Sequence, residues 1–441
     1  MLEPLNVYRS GRLIGRLDMY ESEAFYGFTY DERYLSSPDS APLSVSLPLS
    51  SRRYSGTETL PYFEGLLPEG SVRDEVARRF HVSGNSPAKL ISVLGRDCAG
   101  DVSVVELDDP DQPPAVGDYE PLPDALRQIA QQPLRQVSQL RSEYRLSLAG
   151  GQEKVALYHD EGKPLDDGWF APLNGSPSNC IVKPQVSDRC PDLALNEFLC
   201  MKAAAYIGID VARISFFADG QSEAVGPMVV VERYDRVADG CDTGDGLALL
   251  RRVHQEDFCQ ALGLDSDGKY EAEGTFYIRD MARMLMEYAD IPHGSMTDLY
   301  TRLLFNYLIG NCDAHLKNYS VLWEARDCVR LAPAYDLLST SIYDGAFGGK
   351  LSRSMGLRFG RHVNIDKVDA EDILQVAKEL RQPSKTAKAI AGRLADDLAG
   401  AFDKAVSDLT ASCSGWSNEA EQLAARIVED AEKRKAVLQN L

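Results

Sequence analysis

Gly310-Asn311-Cys312-Asp313-Ala314-His315-Leu316-Lys317-Asn318 is the stretch whose reading decides the fold. It follows an apolar helical run and precedes a strand-like one, so it forms a loop at the end of a rigid element. A carboxylate, an imidazole, an ammonium and two amides crowd into it. Asp, Asn and Lys are ordinary turn residues, so taken alone the segment also reads as a polar turn.

The spacing of Asp313 and Asn318 is that of the catalytic loop of protein kinases. Phosphoryl transfer needs a carboxylate to orient and deprotonate the attacking hydroxyl, and an amide oxygen to hold magnesium on the phosphates. Asp313 and Asn318 fit these roles, with Lys317 to neutralise the transferring group and His315 to bond phosphate or shape the loop. Ala334-Tyr335-Asp336-Leu337-Leu338 follows a short strand pair, read at 319–323 and 329–331. Asp336 therefore sits where a kinase places its second, metal-binding aspartate. A helix N-cap is the competing reading of that residue.

Upstream, Ser147-Leu148-Ala149-Gly150-Gly151-Gln152-Glu153-Lys154 puts glycines between two strand-like segments, 144–148 and 154–158. Glycine lets backbone N–H groups approach phosphates closely, although a plain hairpin has the same composition. Ile181-Val182-Lys183-Pro184 ends an apolar strand on a lysine, as in the strand that grips ATP phosphates, with a surface strand-edge lysine as the competing reading. Glu197 lies opposite the apolar stripe of the next helix, 192–207, and reads as solvated. Val229-Val230-Val231-Glu232-Arg233-Tyr234 is an apolar strand with a polar exit, which can offer backbone groups to an adenine ring but on its own reads as a plain buried strand.

Around these segments the chain reads as an α+β, two-lobed protein-kinase-like fold with a β-rich N-terminal lobe and an all-helical C-terminal lobe. Its expected divisions are an N-terminal β-rich subdomain at 1–110, an ATP-binding core at 111–250 and a helical lobe with the catalytic loop at 251–441. Ser10-Gly11 marks a hairpin turn. Ser71 is read as the N-cap of a helix over 71–82, Ser86 opens another, and 106–122, rich in Asp and Pro, reads as a linker. Helices are expected near 254–263, 276–290, 296–310, 366–380, 384–412 and 417–439.

Composition narrows the class. At 441 residues, 44% hydrophobic and 26% charged, the chain suits a multidomain globular protein. Nine cysteines without a C-x-x-C pair suit reduced thiols rather than a disulfide framework or zinc site. No secretory leader or membrane span is read, so the expected location is cytoplasmic. A net charge of −20 argues against a body that binds nucleic acid directly.

In this order the segments resemble the HipA family of bacterial serine/threonine kinase toxins. The resemblance rests on Arg145-Leu-Ser-Leu-Ala-Gly-Gly-Gln-Glu-Lys154, Ile181-Val-Lys-Pro184, Val231-Glu-Arg-Tyr-Asp-Arg236, Gln255-Glu-Asp-Phe-Cys-Gln260, Asp313-Ala-His-Leu-Lys-Asn318 and Tyr335-Asp336. It extends upstream through Val45-Ser-Leu-Pro-Leu49, Tyr62-Phe-Glu-Gly-Leu-Leu-Pro-Glu69 and Leu94-Gly-Arg-Asp97.

The resemblance implies ATP and Mg2+ as cofactors, Asp313 as catalytic base, and Asn318 and Asp336 as magnesium ligands. It implies a phosphate loop of Ala149, Gly150, Gly151, Gln152, Glu153 and Lys154, with Lys183 on the phosphates. Glu232, Arg233 and Tyr234 would line the adenine, and His315, Leu316, Lys317 and Tyr335 would complete the pocket. Ser147 matches a serine that such kinases autophosphorylate. Implied partners are a small helix-turn-helix antitoxin of the HipB kind and protein substrates, aminoacyl-tRNA synthetases in some members. DNA would be reached only through the antitoxin, since Glu379 interrupts the basic stretch Lys378-Glu379-Leu380-Arg381. Gly151 stands where the family pattern has Ala. A kinase-fold small-molecule phosphotransferase and a non-catalytic binding protein are the alternatives.

Overall fold

The computed structural model describes residues 3–20, 23–106, 117–144, 149–186, 190–218, 226–326, 328–343 and 353–441. The chain forms two compact units: 1–186 with 230–267 and 322–327, and 187–229 with 268–321 and 328–441.

The first unit opens with an antiparallel sheet ordered Gly27–Tyr30, Arg12–Asp18, Leu5–Arg9, Val102–Glu106. Ser10 and Gly11, at φ 47° and 76°, make the two-residue turn that joins Leu5–Arg9 to Arg12–Asp18. Positive φ at both positions matches the turn to the twist of its strands. Phe25, Tyr26, Phe28, Tyr30, Tyr62 and Phe63 fill the core under this sheet. The helix expected at Ser71 runs Gly70–Arg79, with extended Glu69 at its N-cap; Ser71 lies inside the first turn. The next helix starts at Pro87 directly after Ser86, where proline's missing N–H costs nothing.

A six-stranded sheet orders Tyr119–Pro121, Trp169–Pro172, Val155–His159, Cys180–Pro184, Met228–Glu232 and Ile214–Phe217; its first four strands and residues 230–232 fall in this unit. The end of the supposed linker is thus a strand, with Tyr119 opposite Pro172; residues 107–116 lie outside the described part. Tyr144, read as strand, closes the helix Pro133–Tyr144 instead, and 145–148 are outside the described residues.

The helix expected from 254 begins later, after a short strand Gln255–Asp257. Asp257 Oδ1 accepts from the Gln260 N–H and Gln260 Oε1 from the Asp257 N–H, both at 2.9 Å, which sets the boundary. Glu256, fully buried, accepts from the Val45 N–H and the Trp323 indole at 3.1 Å each. Burial pushes its carboxyl up to about 7.

The second unit is built from Leu193–Ile207, Tyr277–Tyr288, Pro292–Ile309, Ala370–Glu379, Ser384–Ser412 and Ser417–Gln439. The last two match the expected helices and pair as a long hairpin against Leu193–Ile207. Leu193–Ile207 is buried on nearly every side, Asn196 and Glu197 included, so the solvated reading of Glu197 fails: it is 2% exposed. A hairpin of Ser354–Phe359 and His362–Asn364, not expected from the sequence, adds strands among these helices. No described helix is long and apolar enough to cross a membrane. All nine cysteines are free thiols, six of them buried.

Candidate active site

The loop Gly310 to Asn318 is braced from both ends. Asn311 Nδ2 donates to Asn306 Oδ1 in the preceding helix at 2.8 Å and to the Asp336 carbonyl at 3.4 Å. Its own Oδ1 accepts from the Asp313 N–H at 3.2 Å. Asn311, 3% exposed, therefore ties both candidate aspartates to one rigid helix. The Cys312 N–H donates to Thr340 Oγ1 at 2.8 Å. These backbone ties hold the Asp313 carboxylate at the surface while its neighbours are buried.

Past Asp313 the chain curls back. The His315 N–H donates to the Asp313 carbonyl at 2.8 Å, and the Asn318 N–H to the His315 carbonyl at 2.9 Å. Asn318 Nδ2 also donates to the Asp313 carbonyl, at 3.0 Å. That bond fixes which end of the amide is the oxygen, the atom a magnesium ion would use. Leu316 is a core residue with no exposure, and Lys317 is 8% exposed. The Tyr335 hydroxyl donates to the Lys317 carbonyl at 2.7 Å and meets Ser320 Oγ at 2.6 Å. Leu316 and the Tyr335 phenol are thus spent on holding the loop.

Asp336 follows a segment pinned on one side: the Ala334 N–H donates to the Asp210 carbonyl at 2.8 Å, and the Ala212 N–H to the Ala334 carbonyl at 2.9 Å. Asp336 then turns to φ +58°, a conformation that Asp and Asn tolerate better than other side chains. No helix begins in the described residues 337–343 that follow it, so helix capping is not its role. Asn318 and Asp336 offer hard oxygen donors, a set that suits magnesium completed by phosphate oxygens and water.

The residues expected in the phosphate loop and beside the adenine belong to the first unit. Gly150 has φ +98°, and its carbonyl accepts from the Glu69 N–H at 3.1 Å, which moors the loop to the start of the helix Gly70–Arg79. Glu153 pairs with Arg141 at 2.9 Å, and Arg141 Nε donates to the Lys154 carbonyl at 2.7 Å. Glu153 is therefore a structural member of the loop. Ala149 and Gln152 are half-buried, Lys183 is 7% exposed on its strand, and Ser147 lies outside the described residues.

Arg233, expected beside adenine, has its guanidinium fully engaged elsewhere. It bonds Asp235 at 2.9 Å, Ser178 Oγ at 2.8 Å and the Cys98 carbonyl at 3.1 Å. Arg236 pairs with Asp97 at 2.9 Å and Asp235 at 2.8 Å, and Arg252 with Asp97 at 2.9 Å. Burial alone would raise Asp97, but Arg252, Arg236 and Arg233 hold its carboxyl below the usual range. The main chain of Arg233 is engaged as well: its N–H donates to the Asn179 carbonyl at 2.8 Å and its carbonyl accepts from the Arg236 N–H at 3.2 Å. Glu232 and Tyr234, on either side, are half-buried.

Gly150 and Gly151 are not equivalent. A side chain at Gly150 meets the wrong backbone region and would stand 3.0 Å from Lys154 Nζ, whereas at Gly151 nothing lies within 4 Å. Gly150→Ala is expected to destabilise by about 1–3 kcal/mol, the scale of a non-glycine residue held in a rare backbone region. Gly151→Ala should be neutral or stabilising by up to about 1 kcal/mol, through a less flexible unfolded chain. Denaturant unfolding of the two variants checks this; equal losses would contradict it.

Fold and loop chemistry together define the protein-kinase-like class. The HipA-like C-terminal domain family matches residues 146–402, and the HipA N-terminal domain family residues 5–105. The Sinorhizobium fredii protein Y4mE is 36% identical over 381 residues, covering 85% of each chain. The serine/threonine-protein kinase toxin HipA of Shewanella oneidensis is 28% identical over 357 residues, covering 77% of this chain and 76% of its own. The solved structure of Shewanella oneidensis HipA with HipB and operator DNA aligns with TM-score 0.78 over 99% of both chains, at 22% identity. The chain belongs to the HipA family.

Two contributors escape the sequence reading. Asn311 lies inside the quoted loop but gives no signal of bracing both aspartates. Tyr270, far away in sequence, donates its hydroxyl to Asp313 Oδ1 at 2.5 Å.

Proposed function

We propose that this chain is an ATP- and magnesium-dependent serine/threonine protein kinase, held in check by a small helix-turn-helix antitoxin. The carrying observation is that Asn311 bonds both the Asp313 N–H and the Asp336 carbonyl, which gives one frame to a base and a metal-holding carboxylate. On this reading residues 111–250 hold the nucleotide and 251–441 carry the catalytic loop.

In the reaction the acceptor hydroxyl oxygen bonds the γ-phosphorus, the bond to the bridging oxygen breaks, and ADP leaves. Asp313 orients the hydroxyl and takes its proton. Magnesium, when bound, neutralises phosphate charge; Asn318 and Asp336 supply its protein oxygens. Lys183 and the backbone of Ala149 to Lys154 hold the phosphates, and Glu232 and Tyr234 border the adenine. The HipB in the related complex supports an antitoxin partner, which would carry the DNA contact for a chain of net charge −20. An aminoacyl-tRNA synthetase is a candidate substrate by family alone.

Phosphorylation of Ser147 is proposed to switch the enzyme off. It adds a charge of about −1.5 to −2 beside a loop meant for phosphates, which repels ATP and competes for Lys183. Incubation with γ-labelled ATP and magnesium should label protein, EDTA should abolish the label, and mass spectrometry should place one phosphate on Ser147 with loss of ATP affinity. Absence of any label on protein, this chain and cell extract included, would overturn the kinase reading. A label that spares Ser147 would overturn only the self-inhibition.

A further inference from the structure

We infer that Tyr270 is a positioning residue for Asp313, an inference that rests on Asp313 being the base. The Tyr270 hydroxyl donates to Asp313 Oδ1 at 2.5 Å, a short bond of the kind formed to an ionised acceptor. Tyr270 is itself held against the loop. Its ring stands edge-on to the His315 imidazole, with centroids 5.0 Å apart, so the phenol touches the catalytic loop at two places.

The backbone next to Tyr270 is referenced to the same loop through a single strand. The Glu271 N–H donates to the Gly356 carbonyl at 2.9 Å, and the Gly356 N–H donates to the Cys312 carbonyl at 2.8 Å. Position 356 has to be glycine for this layering: a Cβ there would fall 2.9 Å from the Ala314 carbonyl and the His315 Cα. The Glu271 side chain, 2% exposed, locks the arrangement by accepting from the Arg358 N–H at 2.7 Å and the Tyr277 N–H at 3.2 Å. Burial raises the Glu271 carboxyl, and those two N–H bonds offset only part of the rise. A buried carboxylate built into a turn fixes its chain direction, and the next residue back is Tyr270.

Asp313 is the exposed member of a buried loop, and the Tyr270 hydroxyl is bonded directly to its carboxylate. A surface carboxylate rotates about χ1 and χ2 unless a partner holds it. Tyr270 supplies that partner. It acts through Asp313, as the third group of a nucleophile–base–orienter arrangement does, and does not touch the reacting atoms.

Tyr270→Phe keeps the ring against His315 and removes only the hydroxyl. Turnover should fall on the order of ten-fold, within the range that misplacing a catalytic group costs. Mg-ATP affinity and melting temperature should stay at wild-type values, a split that a merely structural role would not give. In an Asp313→Asn background the same change should cost less than about two-fold, because the group it positions is gone. Wild-type turnover in Tyr270→Phe, or the same ten-fold loss in the Asn background, would overturn the inference. So would a more active Tyr270→Phe, which would make the phenol a plug over the base. An active Asp313→Asn single variant would instead remove the base assignment itself.

Discussion

Asp313→Asn should slow phosphoryl transfer by about 10²–10⁴, the range for loss of a general base. The substitution is nearly isosteric, and the main-chain bonds from Asn311, His315 and Asn318 that shape the loop do not involve the altered atoms. The loop should therefore keep its form while the group that accepts the proton becomes an amide. ATP affinity should be nearly unchanged, since Asp313 is not a nucleotide ligand in this scheme. Single-turnover rates alongside calorimetric titration of Mg-ATP check both halves. Near-normal turnover would take Asp313 out of the reaction.

Asp336 should behave in the opposite way. Asp336→Asn is a cleaner probe than Asp336→Ala, because the residue sits at φ +58° and Ala would add backbone strain of about 1 kcal/mol to the chemical effect. Asn tolerates that conformation and replaces a charged metal ligand by a neutral one. Activity should drop to background and Mg-ATP should bind at least about ten-fold more weakly, because one of few charged ligands to the ion is lost. Calorimetry in magnesium buffer, with manganese in parallel, provides the measurement. Unchanged Mg-ATP affinity would leave Asp336 with a purely architectural role.

The legible parts of this chain were those where one segment carries its own evidence. The loop from Gly310 to Asn318 and the helices Ser384–Ser412 and Ser417–Gln439 show spacing and periodicity that survive burial. What stayed hidden depends on partners distant in sequence. Glu197 looked solvated because helical periodicity assumes a wet face, and Leu193–Ile207 has almost none. Arg233 looked like a pocket residue because its partners Asp97 and Ser178 are far upstream. The hairpin Ser354–Asn364 alternates Met355, Leu357 and Phe359 as a strand does but is short, and its role beneath Ala314 and His315 comes from packing against them. Tyr270 has no local signature at all.

The ion cluster around Asp97 also bears on the order in which the protein can be made. Asp97 belongs to the turn that completes the N-terminal core, yet its counter-ions Arg233, Arg236 and Arg252 come much later. At roughly 5–20 residues per second the ribosome needs on the order of ten to thirty seconds to supply the last of them. Throughout that interval the aromatic core under the first sheet has all its parts, while a carboxylate meant for burial has no cation beside it. Asp97 therefore cannot complete its ion pairs until the strand exit at Arg233 and the hairpin ending at Arg252 have emerged. The first hundred residues are in this sense unfinished when they leave the ribosome, and the segment that completes them is the one proposed to border the nucleotide.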